Sequence, residues 1–404
     1  MDSVSTKKSP KVALVCDWLT TVGGAESVLL TLHEMYPSAP IYTSKYNQKG
    51  IDWFKDADVR TGWLQIFPTC LRRFISPLRQ SYFSHLDLSS YDIVISVTGA
   101  EAKSVRTSPK TRTKGNKTEQ TEHRCHHLCY CHVPTQYYWA MYDDYLKNPG
   151  FGILNPLARL GLKLFVKPLR KKDYAAAQRP DQFITISHYA KDQIKKYYGR
   201  EAEIIYPPLD FKKFSTGSGK RDVFSTTNQP KSQTKKQHNY VTTSRQVNWK
   251  RIDLCIKACL RTGDQLVVIG DGPEHKSLVK LADGARNIHF LEAMPQSELK
   301  QYLASADAFL FPSMEPFGLA PIEALAVGTP VIAYGKGGAL DYVIPGKNGI
   351  LFSEQTTASL AAVLKKFNPT DYSTKDIIAS AAPFDKKFFK QKIQEAVDAA
   401  FKNQ

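Results

Sequence analysis

The stretch 307–343, DAFLFPSMEPFGLAPIEALAVGTPVIAYGKGGALDYV, constrains the fold more than any other. It opens with a short apolar run, 308–311, closed by Pro312, which is the mark of a buried parallel strand. A loop over 313–318 follows. The next segment is a helix whose first turn accommodates Pro321 and whose end is set by Gly328. Residues 330–334 form another buried strand, and Gly337 and Gly338 precede a further helical segment. Strand, loop, helix and strand in this alternation predict an α/β fold with a doubly wound parallel sheet.

Two carboxylates sit in this unit. Glu315 lies in the loop at the carboxyl end of a strand, and Glu323 lies inside the helix that follows. In a parallel sheet that loop and that helix start face the ligand crevice. The amides of 317–320 would face it too and favour an anion. One small volume could then hold a phosphate on the amides of Phe317, Gly318 and Leu319, a sugar near Glu315 and a ribose near Glu323. The plainer alternative is a solvated Glu315 and a Glu323 on an exposed helix face.

The stretch resembles the donor-site signature of the family 4 retaining glycosyltransferases, in which two glutamates are separated by seven residues; here Pro316 stands between Glu315 and Phe317 where the family usually has Glu-Phe-Gly. The resemblance implies a GT-B architecture: two facing Rossmann-like domains with parallel sheets and a deep interdomain cleft. A chain of 404 residues suits two α/β domains. Residues 215–237, rich in Ser, Thr, Gly, Lys and Gln, have the composition of a linker. The expected division is 10–214 for an acceptor-side domain and 238–385 for a donor domain. The remaining 386–404 is a final helix that, by the resemblance, can cross back onto the first domain.

In the first half, 11–16 (KVALVC) reads as a strand followed by Asp17 and Trp18, a loop to Gly24 and a helix over about 25–35. Gly23 and Gly24 let the backbone approach a bound group or simply make a tight turn; their spacing is not the dinucleotide fingerprint. Residues 93–97 and 127–132 are further strands, the second ending in YCHVPTQYYW. His132 is a candidate ligand or a structural histidine. Tyr137 and Tyr138 could line an acceptor groove or pack inward, and Asp17 is assigned to the acceptor side. By the resemblance, Gly24 lies under the donor phosphate and His132 beside the donor sugar.

The second half opens with a strand at 240–243 and the run SRQVNWKR. Arg245 and Lys250 fall at the carboxyl end of that strand, where a departing diphosphate needs fixed positive charge. The resemblance gives both to the phosphates, Gly270 of Gly-Asp-Gly-Pro-Glu to the edge of the base pocket, and Met294 to the nucleobase. It makes Glu315, His132, Arg245 and Lys250 the catalytic set, with no metal and no cofactor beyond the nucleotide-sugar substrate. The tracts CDWLTTVGGAESVL, YDDYL, IIYPPLD and GKGGALDYV resemble the bacterial polysaccharide and O-antigen branch, whose members transfer mannose from GDP-mannose. That implies a glycan or lipid-linked saccharide acceptor. A UDP-sugar-dependent transferase, a nucleotide-sugar epimerase or a non-catalytic basic binding protein are the rival readings.

The net charge of +17 points to a polyanionic neighbour: nucleic acid, an anionic membrane surface or phosphorylated ligands. No nucleic-acid recognition motif is present, so an anionic membrane is the expected partner and nucleic acid is not. Part of the charge lies in 106–124, a polar stretch that reads as an inserted loop, and part in 156–172, PLARLGLKLFVKPLRKK. There Leu157, Leu160, Leu164 and Phe165 share one face; the segment is either a helix packing that face inward or a basic amphipathic helix facing lipid.

No apolar run approaches the ~18 residues of a membrane span. The N-terminus is polar and lacks the apolar core of a secretory leader. A cytoplasmic protein, peripheral on the inner membrane face at most, is expected. Seven cysteines do not suggest a disulfide framework. Cys125, Cys129 and Cys131, with His126, His127 and His132, match no common zinc spacing.

Overall fold

Short apolar runs ending in Gly, Pro or Asp build two all-parallel sheets in the computed structural model of the chain. It describes residues 9–69, 75–108, 124–147, 155–214 and 237–402, with 113–114, 117–118, 149 and 152 as short pieces between them. Most of the 106–124 stretch and all of 215–237 except Gln237 lie outside the described residues. The chain forms two units: Met1–Pro208 with Phe389–Gln404, and Leu209–Phe388.

In the first unit the strands are β1 (Val12–Cys16), β2 (Ile41–Thr43), β3 (Val59–Thr61), β4 (Ile93–Thr98), β7 (His126–Cys131), β8 (Gln182–Thr185) and β9 (Ala202–Ile204), in the order β3-β2-β1-β4-β7-β8-β9. The small antiparallel pair β5 (Thr113–Lys114) and β6 (Lys117–Thr118) stands apart from that sheet. Helices α1 (Gly24–Met35), α2 (Ser76–His85), α3 (Tyr142–Lys147), α4 (Asn155–Ala176) and α5 (His188–Tyr198) belong to the same unit. β1 and β4 are buried along their whole lengths, as strands covered on both faces must be.

The second unit has β10 (Asn239–Thr243), β11 (Gln265–Ile269), β12 (Ile288–Leu291), β13 (Ala308–Phe311), β14 (Val331–Tyr334) and β15 (Gly349–Phe352), in the order β12-β11-β10-β13-β14-β15. Its helices are α6 (Ile252–Thr262), α7 (His275–Ala282), α8 (Gln296–Ser305), α9 (Leu319–Ala326), α10 (Thr357–Lys366) and α11 (Thr374–Ala381). Cys255 and Cys259 of α6 are fully buried in its core. Both sheets are doubly wound. Each reverses its direction of winding between two central strands, β1 and β4 in one and β10 and β13 in the other.

The last helix, α12 (Lys386–Lys402), starts beside the second unit and then joins the first. Leu209 and Lys386 bond backbone to backbone at 2.9 Å. Further along, the Phe389 ring meets Tyr130 at 5.7 Å and Lys390 pairs with Glu34 at 2.9 Å.

Of the two readings of the 156–172 segment, helix α4 excludes the inward-packed one. Leu157, Leu160, Leu164 and Phe165 do not pack inward; they are 68%, 54%, 63% and 60% exposed. At 100° per residue they centre opposite Val166 and Asp173, two of the buried residues of this helix; the third, Ala176, falls near the Phe165 edge. The inward face is fastened by charge. Asp173 accepts from Lys103 Nζ at 2.7 Å, Trp139 Nε1 at 2.7 Å, Tyr198 Oη at 2.8 Å and Thr135 Oγ1 at 2.9 Å. Lys103 and Asp173 are each 1% exposed. Removing one partner of such a pair strands the other charge, at a cost of about 3–5 kcal/mol. Asp173→Ala is therefore expected to lower the thermal transition of the first unit sharply; calorimetry of the variant beside the wild type checks this.

Candidate functional site

In the second unit the loops after β10 and β13 meet where the sheet reverses, the place where open α/β sheets bind ligands. Lys250 Nζ, from the loop after β10, donates to Glu315 Oε2 at 2.5 Å, and Ser313 Oγ donates to Glu315 Oε1 at 2.6 Å. Lys250 and Glu315 side chains are 21% and 16% exposed. Arg245 is exposed and has no recorded ion pair among the described residues. The fold thus brings Lys250 and Glu315, 65 residues apart in the chain, into contact, and Arg245 lies on the same loop after β10 as Lys250.

Phe317 is buried, its ring 5.7 Å from Tyr342 and 5.9 Å from Phe384, so it anchors the loop and does not face a ligand with its side chain. Tyr342 Oη donates to the Phe317 carbonyl at 2.9 Å. Gly318 precedes α9 with φ 100, a conformation costly for any other residue. A Cβ there would also collide with the Phe311 ring. Having no side chain, Gly318 leaves the first amides of α9, at Leu319 and Ala320, uncapped. Gly337, at φ 70, sits so close to the Glu315 carbonyl that no side chain fits, and Gly338 N–H donates to that carbonyl at 2.8 Å. The two glycines hold the Glu315 loop from behind.

The loop after β11 is held in the same way. Gln246, fully buried, donates from Nε2 to the Gly270 carbonyl at 2.6 Å and from its backbone to Asp271 at 2.8 Å. Gly270 lies against the Ser244 carbonyl, which explains the absence of a side chain there by packing alone. Glu323 accepts from Gln296 Nε2 at 3.2 Å, and Gln296 opens α8 two residues beyond Met294. Part of the Glu323 side chain reaches the surface, but its carboxyl group is shut away from water, and that burial raises its pKa from 4.5 to about 7.

The first unit has a carboxylate at its own reversal point. Asp17, at the end of β1, accepts from Thr98 Oγ1 at 3.0 Å and from the amides of Gly99, Ala100 and Ala102 at 2.9, 3.1 and 2.7 Å. Its oxygens are spent on shaping the loop after β4. Thr98 also receives His132: the backbone N–H at 2.9 Å and Nδ1 at 3.3 Å reach its carbonyl. A carbonyl can only accept, so Nδ1 carries the proton and Nε2 is left as a bare acceptor. Nε2 is buried without a partner in the structure, and burial lowers the imidazole pKa to about 4. His132 is neutral at physiological pH.

Gly24 is the exposed first residue of α1, whose preceding Gly23 makes no side-chain cap. Tyr137 and Tyr138 turn their hydroxyls inward, to Glu101 at 2.6 Å and Ser76 at 2.6 Å. Arg79 completes this group, with Nε 2.9 Å from Glu101 and its guanidinium 4.9 Å from the Trp18 ring. Glu101, Arg79, Gln246 and Gln296 carried no signal in the sequence, since each is defined by a partner far along the chain. Among the described residues no group of three or more His, Cys, Asp or Glu could hold a metal ion.

The second unit thus places a cation–carboxylate pair and an uncapped helix start at the reversal point of a doubly wound sheet. Residues 224–381, which fall within the second unit, match the family model described as Glycosyl transferases group 1. The fold is GT-B, similar to HepE of Anabaena solved in complex with UDP-glucose: TM-score 0.67, 18% identity, covering 97% of this chain and 100% of that one. The sulfoquinovosyl transferase SQD2 of Arabidopsis thaliana is 37% identical over 29% of this chain and 24% of its own. The GDP-mannose-dependent monoacylated alpha-(1-6)-phosphatidylinositol monomannoside mannosyltransferase of Corynebacterium glutamicum is 30% identical over 41% of this chain and 47% of its own. The chain thus spans less than half the length of the curated relatives it matches.

A carboxyl whose folded pKa is raised binds its proton more tightly when folded. The stability it contributes is full below its ordinary 4.5 and is lost as pH rises through about 7. Glu323→Gln removes that loss, worth up to about 3 kcal/mol. The variant is expected to melt higher than the wild type at pH 8 and level with it near pH 4.5, as melting curves across that range will show.

Proposed function

We propose that the protein is a retaining glycosyltransferase of family 4 that moves a hexose, mannose from GDP-mannose, to a glycan or lipid-linked saccharide acceptor on the cytoplasmic side of the membrane in cell-surface polysaccharide synthesis. The observation that carries this reading is the Lys250–Glu315 pair beside the uncapped start of α9, within the matched domain. The mannose assignment is supported by the sequence tracts above and by the likeness to the GDP-mannose-dependent Corynebacterium mannosyltransferase. A second reading, a UDP-sugar donor, is favoured by the likeness to HepE, which was solved with UDP-glucose.

In this mechanism Arg245, Lys250 and the amides of Gly318, Leu319 and Ala320 bind the diphosphate. Glu315 holds sugar hydroxyls and Glu323 the ribose. Gly270 and Met294 flank the base. The bond from the anomeric carbon to the diphosphate breaks and its electron pair passes to the phosphate oxygen. An acceptor hydroxyl attacks from the same face, and its proton goes to the departing phosphate. Arg245 and Lys250 supply the positive charge that the leaving group requires, so no divalent ion is needed. On the first unit, the α1 start at Gly24 offers amides to an anion and His132 Nε2 offers an acceptor to a sugar hydroxyl. Asp17, Tyr137 and Tyr138 act on the acceptor side by holding the loop after β4 and the segment beyond β7, since their polar atoms are already engaged.

Lys250→Ala is expected to cut turnover about 10²–10³-fold, the usual loss for one preorganised donor, in a variant that still folds but melts lower because Glu315 loses its cation. Glu323→Ala is expected to weaken donor binding; near-normal kinetics in both variants would remove the site. EDTA is expected to leave transfer intact, and activity abolished by EDTA and restored by Mg²⁺ contradicts the scheme. Donor affinity measured by calorimetry is expected to tighten as pH rises through about 7, where Glu323 ionises and becomes a full acceptor for ribose hydroxyls. Mass spectrometry of donor hydrolysis with GDP-mannose, UDP-glucose and ADP-glucose separates the two donor readings.

A further inference from the structure

Helix α4 has two apolar faces, and only one is used. The inward face carries Val166, Asp173 and Ala176, and Asp173 is saturated by Lys103, Trp139, Tyr198 and Thr135. The opposite face exposes Leu157, Leu160, Leu164 and Phe165, each by more than half of its surface. On a helical projection Lys163 and Lys167 flank the Leu160 side of this face, and Lys171 and Lys172 continue the face itself, more than a turn beyond Phe165. All four lysines are exposed, and none has a recorded ion pair among the described residues. The two arginines are committed elsewhere. Arg159 donates to the carbonyls of Leu146 and Lys147 at 2.9 and 2.7 Å, and Arg170 donates to the Tyr138 carbonyl at 2.6 Å with its guanidinium over Trp139 and Tyr142. These arginines brace α4 in place, so its outer face is a fixed surface. The nearest acids on the amino-terminal side, Asp143 and Asp144, lie in the first turn of α3, whose other end meets α4 at Arg159.

We propose that this outer face docks the protein on the surface of an anionic lipid bilayer. Large aliphatic and aromatic side chains bordered by lysines suit the boundary between acyl chains and headgroups, where the apolar groups sink and the ammonium groups meet lipid phosphate. Lysine stems extend upward while their apolar stretches stay buried. No described helix is long and apolar enough to cross a membrane, so α4 lies on the surface and does not span it. Charge argues against a second copy of this chain on the same face, because each copy would bring its own lysine border against the other's. The proposal does not depend on the transferase reading: the face belongs to the first unit, and the donor-binding residues named above on the β10 and β13 loops belong to the second.

Vesicle flotation tests it, with phosphatidylcholine alone and phosphatidylcholine mixed with phosphatidylglycerol. The full chain is expected to float with the mixed vesicles, less at higher salt, and poorly with phosphatidylcholine. A surface lysine is worth about fivefold in binding to an anionic membrane. Lys163→Gln with Lys167→Gln is therefore expected to weaken binding by about tenfold or more. Leu160→Gln with Leu164→Gln and Phe165→Gln is expected to abolish it. Melting curves and circular dichroism confirm that the variants fold, and donor hydrolysis, unchanged in them, keeps the donor site separate from the membrane face. The proposal is overturned if the wild type ignores anionic vesicles, or if the triple variant binds them as well as the wild type. It is also overturned if sedimentation velocity shows a wild-type dimer that the triple variant dissolves without loss of vesicle binding.

Discussion

A single charged hydrogen bond spans the point where the second sheet reverses its winding. Lys250 and Glu315 come from loops after different strands, and both are largely withdrawn from water. A lone charge in that position is costly, so the pair holds the two loops at a fixed separation. The rest of the site is assembled around that distance. Gln246 fastens the loop after β11 to the loop after β10, and Gly337 and Gly338 press the Glu315 loop from behind. Phe317, buried between Tyr342 and Phe384, sets where α9 begins. Backbone from four strand ends is gathered, which is the preorganisation that charge stabilisation demands.

The first sheet solves the same problem with different chemistry. Asp17 crosses the reversal point too, but it is answered by main-chain amides and a threonine hydroxyl instead of a cation. Its pKa is raised by burial and then by the nearby Glu101, so its ionised form depends on those amides. Because Thr98 donates its hydroxyl to Asp17 and accepts from His132 at its carbonyl, the position and tautomer of the histidine are set by the same loop. An Asp-to-histidine relationship exists here only through a threonine, and it orients the ring without touching its free nitrogen.

Much of this was legible in the chain because the fold writes itself in local pattern. Buried parallel strands are apolar runs, and loops at their carboxyl ends carry Gly, Pro and charge, so Arg245, Lys250, Glu315, Gly318 and Glu323 could be selected before any coordinates. What local pattern does not encode is partnership. Nothing near Glu101 announces Arg79 or Tyr137, and nothing near Asp173 announces Lys103, since those contacts are made by the folded chain. The same limit explains α4. Its four large apolar residues were grouped correctly on one face, but a second, smaller face containing Val166 and a paired aspartate outcompetes them for the interior. Counting apolar residues favours the wrong side when the winning side is held by a salt bridge.

The terminal helix carries a consequence for how the molecule comes into being. Phe389, Ile393, Ala396, Val397 and Ala400 are buried, and with Lys390 they lie in the unit otherwise built from the first half of the chain. Synthesis runs from the amino end, and domains ordinarily fold as they emerge from the ribosome. Here the earlier unit must wait, with the ground under Tyr130 and Glu34 uncovered, until the whole later unit has been translated. Birth order and completion order are thus inverted: the half that is made first is the half that is finished last.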